Sequence, residues 1–133
     1  MRRSQRGQSV SVFVVLVTMA LILTAGLVVD GGQKVTAVSR AETAAAGAAR
    51  AAGNAAAAGS VVGTPDVSAA TAAARTFLAG TPGVTGSVTL TAGTVVVDTR
   101  AAASTVFLSL IGIDRVSGTG HAVADVVAVG GGG

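Results

Sequence analysis

The chain has no cysteine, tryptophan or tyrosine, and its 133 residues include three phenylalanines, two prolines and one histidine. Without cysteine there is no disulfide, no thiolate nucleophile and no cysteine-based metal site. A metal centre would have to be gathered from His121 and six scattered acids. The formal net charge of +3 equals the contribution of Arg2, Arg3 and Arg6, so the remaining six bases and six acids cancel. With no basic groove and no aromatic stacking residues, nucleic acid is excluded as a partner. No Gly-x-Ser-x-Gly elbow appears, nor any Gly-x-Gly-x-x-Gly loop following a strand, so nothing points to a hydrolase, a cofactor or a small-molecule substrate. His121 and Asp125, four apart in one expected strand, would be roughly 13 Å apart, too far for a direct hydrogen bond.

Charge is also missing from Ser9 to Val29, SVSVFVVLVTMALILTAGLVV, where two serines and two threonines are the only polar side chains. As a helix this stretch is roughly 31 Å long, matching the ~30 Å hydrocarbon core of a bilayer. Hydroxyls are tolerated there because each can bond back to its own helix. The sequence therefore predicts a transmembrane helix over 9–29. Arg2, Arg3 and Arg6 precede it and Asp30 is the first charge after it, which places residues 1–8 in the cytoplasm and residues 30–133 outside. A cleavable signal peptide is the rival reading. The run exceeds the usual length of about 7–15 residues for such a region, and no Ala-x-Ala site follows, which favours an anchor in the plasma membrane. Asp30, at the membrane exit, reads either as an ordinary interfacial charge or as a hydrogen-bonding position that sets assembly register.

Residues 30–58 are dominated by alanine and predict a helical stalk continuing out of the membrane, with room for a kink at Gly31-Gly32. Within it Ala37, Ala41, Ala44, Ala48, Ala51 and Ala55 recur at alternating four-and-three spacing, a seam of small residues that another helix could approach closely. Residues 59–129 are expected to form one small α+β domain. Thr64-Pro65-Asp66 opens a second helix, with Thr64 as cap and Val67, Ala70, Ala74, Phe77 and Leu78 as its apolar stripe, ending near Gly80. Residues 86–91 and 94–99 alternate in twos around Ala92-Gly93 and predict a hairpin that pairs Thr91 with Thr94, Leu90 with Val95, and Val88 with Val97. Ala92 is a weak choice for a two-residue turn, which leaves room for a longer, bulged one. Ser104 is placed to cap a short helix over 105–111, whose Phe107, Leu108, Leu110 and Ile111 are expected to plug the core. His121 to Val129 predicts a third strand, and 130–133 is a glycine tail.

Arg6-Gly7-Gln8 before the apolar run, Gly26-Leu27-Val28-Val29-Asp30-Gly31-Gly32 after it, and the alanine-packed stretch from Arg40 to Ala52 together resemble the N-terminal module of TadE/TadG-like proteins. Phe107 to Ile113 followed by Gly120-His121-Ala122-Val123-Ala124 is similar to the end of the same group. These are pilin-like, membrane-anchored components of tight-adherence (Flp) pilus assembly. The resemblance implies a pilin-like fold, no enzymatic activity, and other pilus or assembly membrane proteins as partners besides the bilayer. It also implies a possible processing site at Gly7, although cutting there puts Val12 at the fifth mature position, where pilin-type members carry Glu. The expected function is a minor pilin or assembly component acting through helix packing. The alternative is a secreted or surface-anchored binding module.

Overall fold

The computed structural model describes residues 4–126 apart from Val62 and Thr64, with side chains from Gly7 onward except that of Ser60. The Thr64 cap, Arg2, Arg3 and the glycine tail lie outside the described residues, as do 127–129, the end of the expected third strand. Helix α1 runs without interruption from Ser4 to Ser60. It contains no proline, and Gly31 and Gly32 do not break it, because both sides of the pair are tied to the domain. Asp30 accepts hydrogen bonds from the backbone of residues 106–108, and Lys34 donates to the carbonyl of Ser117. The hydroxyls of Ser11 and Thr24 bond back to the carbonyls of Gly7 and Ala20, as the sequence requires of an apolar helix.

Helix α2, Val67–Ala79, starts at Asp66, whose side chain accepts from the Ala69 N–H at 3.0 Å. The carboxylate next to the helix thus acts as the cap. The N–H bond from Ala69, followed by the Ser68 side chain, holds the Asp66 carboxyl below its ordinary value. Ala70, Ala74 and Leu78 are buried, whereas Phe77 lies at the margin with its ring over Gly47 of α1.

Strands β1 (Val84–Thr91), β2 (Thr94–Ser104) and β3 (Arg115–Asp125) form an antiparallel sheet in that order. The β1–β2 register pairs Thr91 with Thr94, Leu90 with Val95 and Val88 with Val97, as the two-residue turn demands. The turn is not bulged; Ala92 and Gly93 both take positive φ, 49° and 82°. Val88, Val95, Val97, Thr99 and Ala101 face inward, whereas Leu90, at the hairpin end, is 47% exposed.

The molecule is α+β, and its stalk is not bare. The sheet and α2 fold back along the second half of α1, which becomes the centre of the core. Among the described residues the largest fully buried side chains are Val95 and Val97. The expected plug is also corrected. Residues 108–111 form one short 3-10 turn, Ser104 ends β2 instead of capping, and Leu110 and Ile111 point outward at 82% and 73% exposure. The core is built from alanine, valine and Leu78, and none of residues 106–111 belongs to it.

Candidate functional site

Two features of α1 carry the functional argument, an apolar half without cover and a buried acid where that half ends. From Gly7 to Ala25 every side chain is exposed, with Phe13, Leu16, Leu21 and Leu23 each at 60% or more. It is the single described helix long and apolar enough to cross a membrane. Gly7 lies within this helix, exposed and with no heavy atom near its missing Cβ. Arg6 belongs to the first turns of α1.

Asp30 is 2% exposed, and its carboxylate accepts from three consecutive backbone N–H groups. Oδ1 takes Val106 at 2.8 Å, and Oδ2 takes Phe107 at 3.1 Å and Leu108 at 2.6 Å. The bond from Val106 holds its carboxyl below the ordinary carboxylate value; desolvation opposes this, and the bonds from Leu108 and Phe107 assist. Asp30 is therefore not an ordinary interfacial charge. It fixes the β2–β3 connection to the helix. One turn earlier, Gly26 makes room for the Phe107 ring, since a Cβ there would lie 2.7 Å from Cγ of the ring.

The alanine seam is occupied within the chain. Ala37, Ala41, Ala44 and Ala48 are buried, but Ala51 and Ala55 are only half-buried, and Ala45, Ala49, Ala52 and Ala56 carry the stripe onward. Strict four-and-three spacing has a period of about 3.5 residues, and on a straight helix it drifts by ~20° per heptad. Two heptads after Ala37 the drift is about 40°, enough to carry Ala51 and Ala55 off the contact. Gly118 and Gly120 of β3 are what let the sheet approach, since a Cβ at either would overlap backbone atoms of Ala37 and Val38 or of Ala41 and Glu42. At this crossing Thr99 Oγ1 donates to the Ala41 carbonyl at 2.6 Å. Isolated glycines inside a strand are a sequence signal for close backbone approach. The Gly118-Thr119-Gly120 spacing could have located this contact; nothing local could have paired Asp30 with residues 76 to 78 positions away.

On the outer sheet face His121 lies opposite Asp98, not near Asp125, with Nδ1 2.7 Å from Asp98 Oδ1 and both side chains well exposed. Asp125 instead accepts from Thr94 Oγ1 at 2.9 Å. No nucleophile completes a triad here, because Ser87 faces Asp98, not the imidazole. Among the described residues no three ligating side chains gather for a metal. An open groove of about 510 Å³ between α1 and α2, lined by Val35, Arg40, Phe77 and Thr81 among others, contains no acid–base pair.

No protein-family model matches the chain, and neither does any curated protein or solved structure. The arrangement can therefore be judged only by its own chemistry. It offers one uncovered apolar helix half, a domain locked to the other half, and a polar outer sheet face.

Proposed function

We propose that the protein is a non-enzymatic, single-pass membrane component of a Tad/Flp-type pilus assembly or secretion system, pilin-like in build and acting through helix packing and protein–protein contacts. The observation that carries this reading is the division of α1. One helix gives residues 7–25 to lipid or neighbouring helices, while its second half forms the spine of a small antiparallel-sheet domain. Such a subunit can rest in a bilayer by its uncovered half and present the sheet to partners outside. The resemblance at Arg6-Gly7-Gln8, at residues 26–32 and at residues 107–124 supports the same reading. The topology is that of a cytoplasmic N-terminus and an extracytoplasmic domain, from the arginines before the span.

Deletion of the gene in the native host tests the role. Loss of surface filaments, restored by the full-length protein, is expected, and a strain piliated as before would overturn it. The intact mass of protein recovered from washed membranes then separates two forms. Full-length chain means a permanent anchor, and loss of residues 1–7 means processing after Gly7 and a subunit able to enter a filament.

A further inference from the structure

We propose that the β2–β3 connection, Val106 to Ile113, is a second membrane contact, an apolar wedge immersed in the lipid of the outer leaflet beside α1. The inference rests on the reading that α1 spans the bilayer. Its level in the membrane follows from Gly26, which lies inside the apolar run and about 6 Å along the helix axis before Asp30. Phe107 packs on Gly26, so the loop reaches down alongside the span instead of stopping above it. Around this contact Val106, Leu110, Ile111 and Ile113 are exposed at 53%, 82%, 73% and 46%. No residue from 106 to 113 is charged, and the first charges beyond, Asp114 and Arg115, are exposed. Interfacial segments bury their apolar faces roughly 5–10 Å into the headgroup and acyl boundary, the same depth that the Gly26 contact gives.

The backbone carries a second, independent argument. Lipid supplies no hydrogen bonds, so an irregular segment can enter it only if its polar groups are satisfied within the protein. Here the N–H groups of Val106, Phe107 and Leu108 go to Asp30. Those of Leu110, Gly112 and Ile113 go to the carbonyls of Phe107, Ser109 and Leu108, and that of Thr105 to Asp114. The Ser109 hydroxyl donates to the Val106 carbonyl at 2.6 Å, and the Thr105 hydroxyl to the Ile113 carbonyl. Most of the loop's amides thus find acceptors within the protein, beneath four exposed aliphatic side chains. The buried carboxylate of Asp30 thereby serves as the device that lets the loop enter lipid.

The absence of cysteine makes the test clean. Single-cysteine variants Leu110→Cys, Ile111→Cys, Leu16→Cys and Thr89→Cys of the full chain, spin-labelled and reconstituted into phosphatidylcholine–phosphatidylglycerol vesicles, are compared by oxygen and nickel-chelate accessibility. Labels at 110 and 111 are expected to favour oxygen, shallower than the label at 16, while the label at 89 favours the aqueous chelate. Aqueous labels at 110 and 111 with a lipid-exposed label at 16 overturn the wedge and leave the anchor standing. An aqueous label at 16 overturns both. Labels at 110 and 111 shielded from both reagents and broadened by dipolar coupling would assign the patch to a second copy of this chain, and would equally overturn the wedge.

Discussion

Asp30 shows how one side chain decides the placement of a distant loop. Its carboxylate replaces water for three amides at once, a geometry that favours the ionised form. Because the folded-state value lies below the ordinary 3.8, the stabilisation is fully present above that pH and is lost as pH falls through the lower folded value. Thermal unfolding in detergent micelles is therefore expected to show a falling transition temperature below pH 3.8. Asp30→Asn should be less stable at neutral pH, because its amide cannot accept from all three donors, and should lose less in the acid window. Asp66, lowered in the same sense, keeps part of the acid loss in both proteins. Parallel acid profiles would show that the amide cradle is not the source. The sequence offered Asp30 as one of two alternatives; the choice required residues 106–108 to arrive in space.

At the scale of elements, the contact between α1 and the sheet is governed by what is missing from side chains. Ala37 and Ala41 on the helix meet Gly118 and Gly120 on β3, and backbone nearly touches backbone. Gly120→Val should therefore cost about 3 kcal/mol, the upper end of overpacking penalties, because the atoms in the way are main chain and cannot rotate aside. Thr119→Val, one residue earlier and pointing outward, should change stability by less than about 0.5 kcal/mol. Circular dichroism melts of the two variants give the comparison, and equal effects would contradict the close approach. The hairpin was legible to the residue because turn length and hydrophobic face agreed. Bulk alone does not place the 105–111 cluster, because burial depends on where the loop lands against α1. Its leucine and isoleucine stay 82% and 73% exposed even though Phe107 sets the loop against Gly26 of α1.

For the whole molecule, two halves of one helix face different surroundings. The half from Gly7 to Ala25 is bare, whereas the half beyond Asp30 is wrapped by the chain's own sheet and second helix. Membranes washed with alkaline carbonate should retain the full-length protein in the pellet, as a spanning helix is held by its hydrocarbon burial and not by charge. Release into the supernatant would contradict the span. The same helix also supplies the alanine face on which the small domain packs, in a core without aromatic residues.

Sequence by itself determined the long apolar N-terminal helix, the alanine-rich helix after it, the helix opened near Asp66 and the pairing of the β1–β2 hairpin. Each of these depends on local periodicity, propensity or turn length, which a short stretch of chain carries alone. Tertiary structure alone decided that the stalk is the core, that the seam turns from Ala48 to Ala52 and Ala56, and that Asp30 holds the 106–108 amides. It also decided that Leu110 and Ile111 face outward beside the apolar half of α1. Those outcomes depend on distances between segments up to 83 residues apart. Small residues permit such close approaches but do not reveal which partner will arrive.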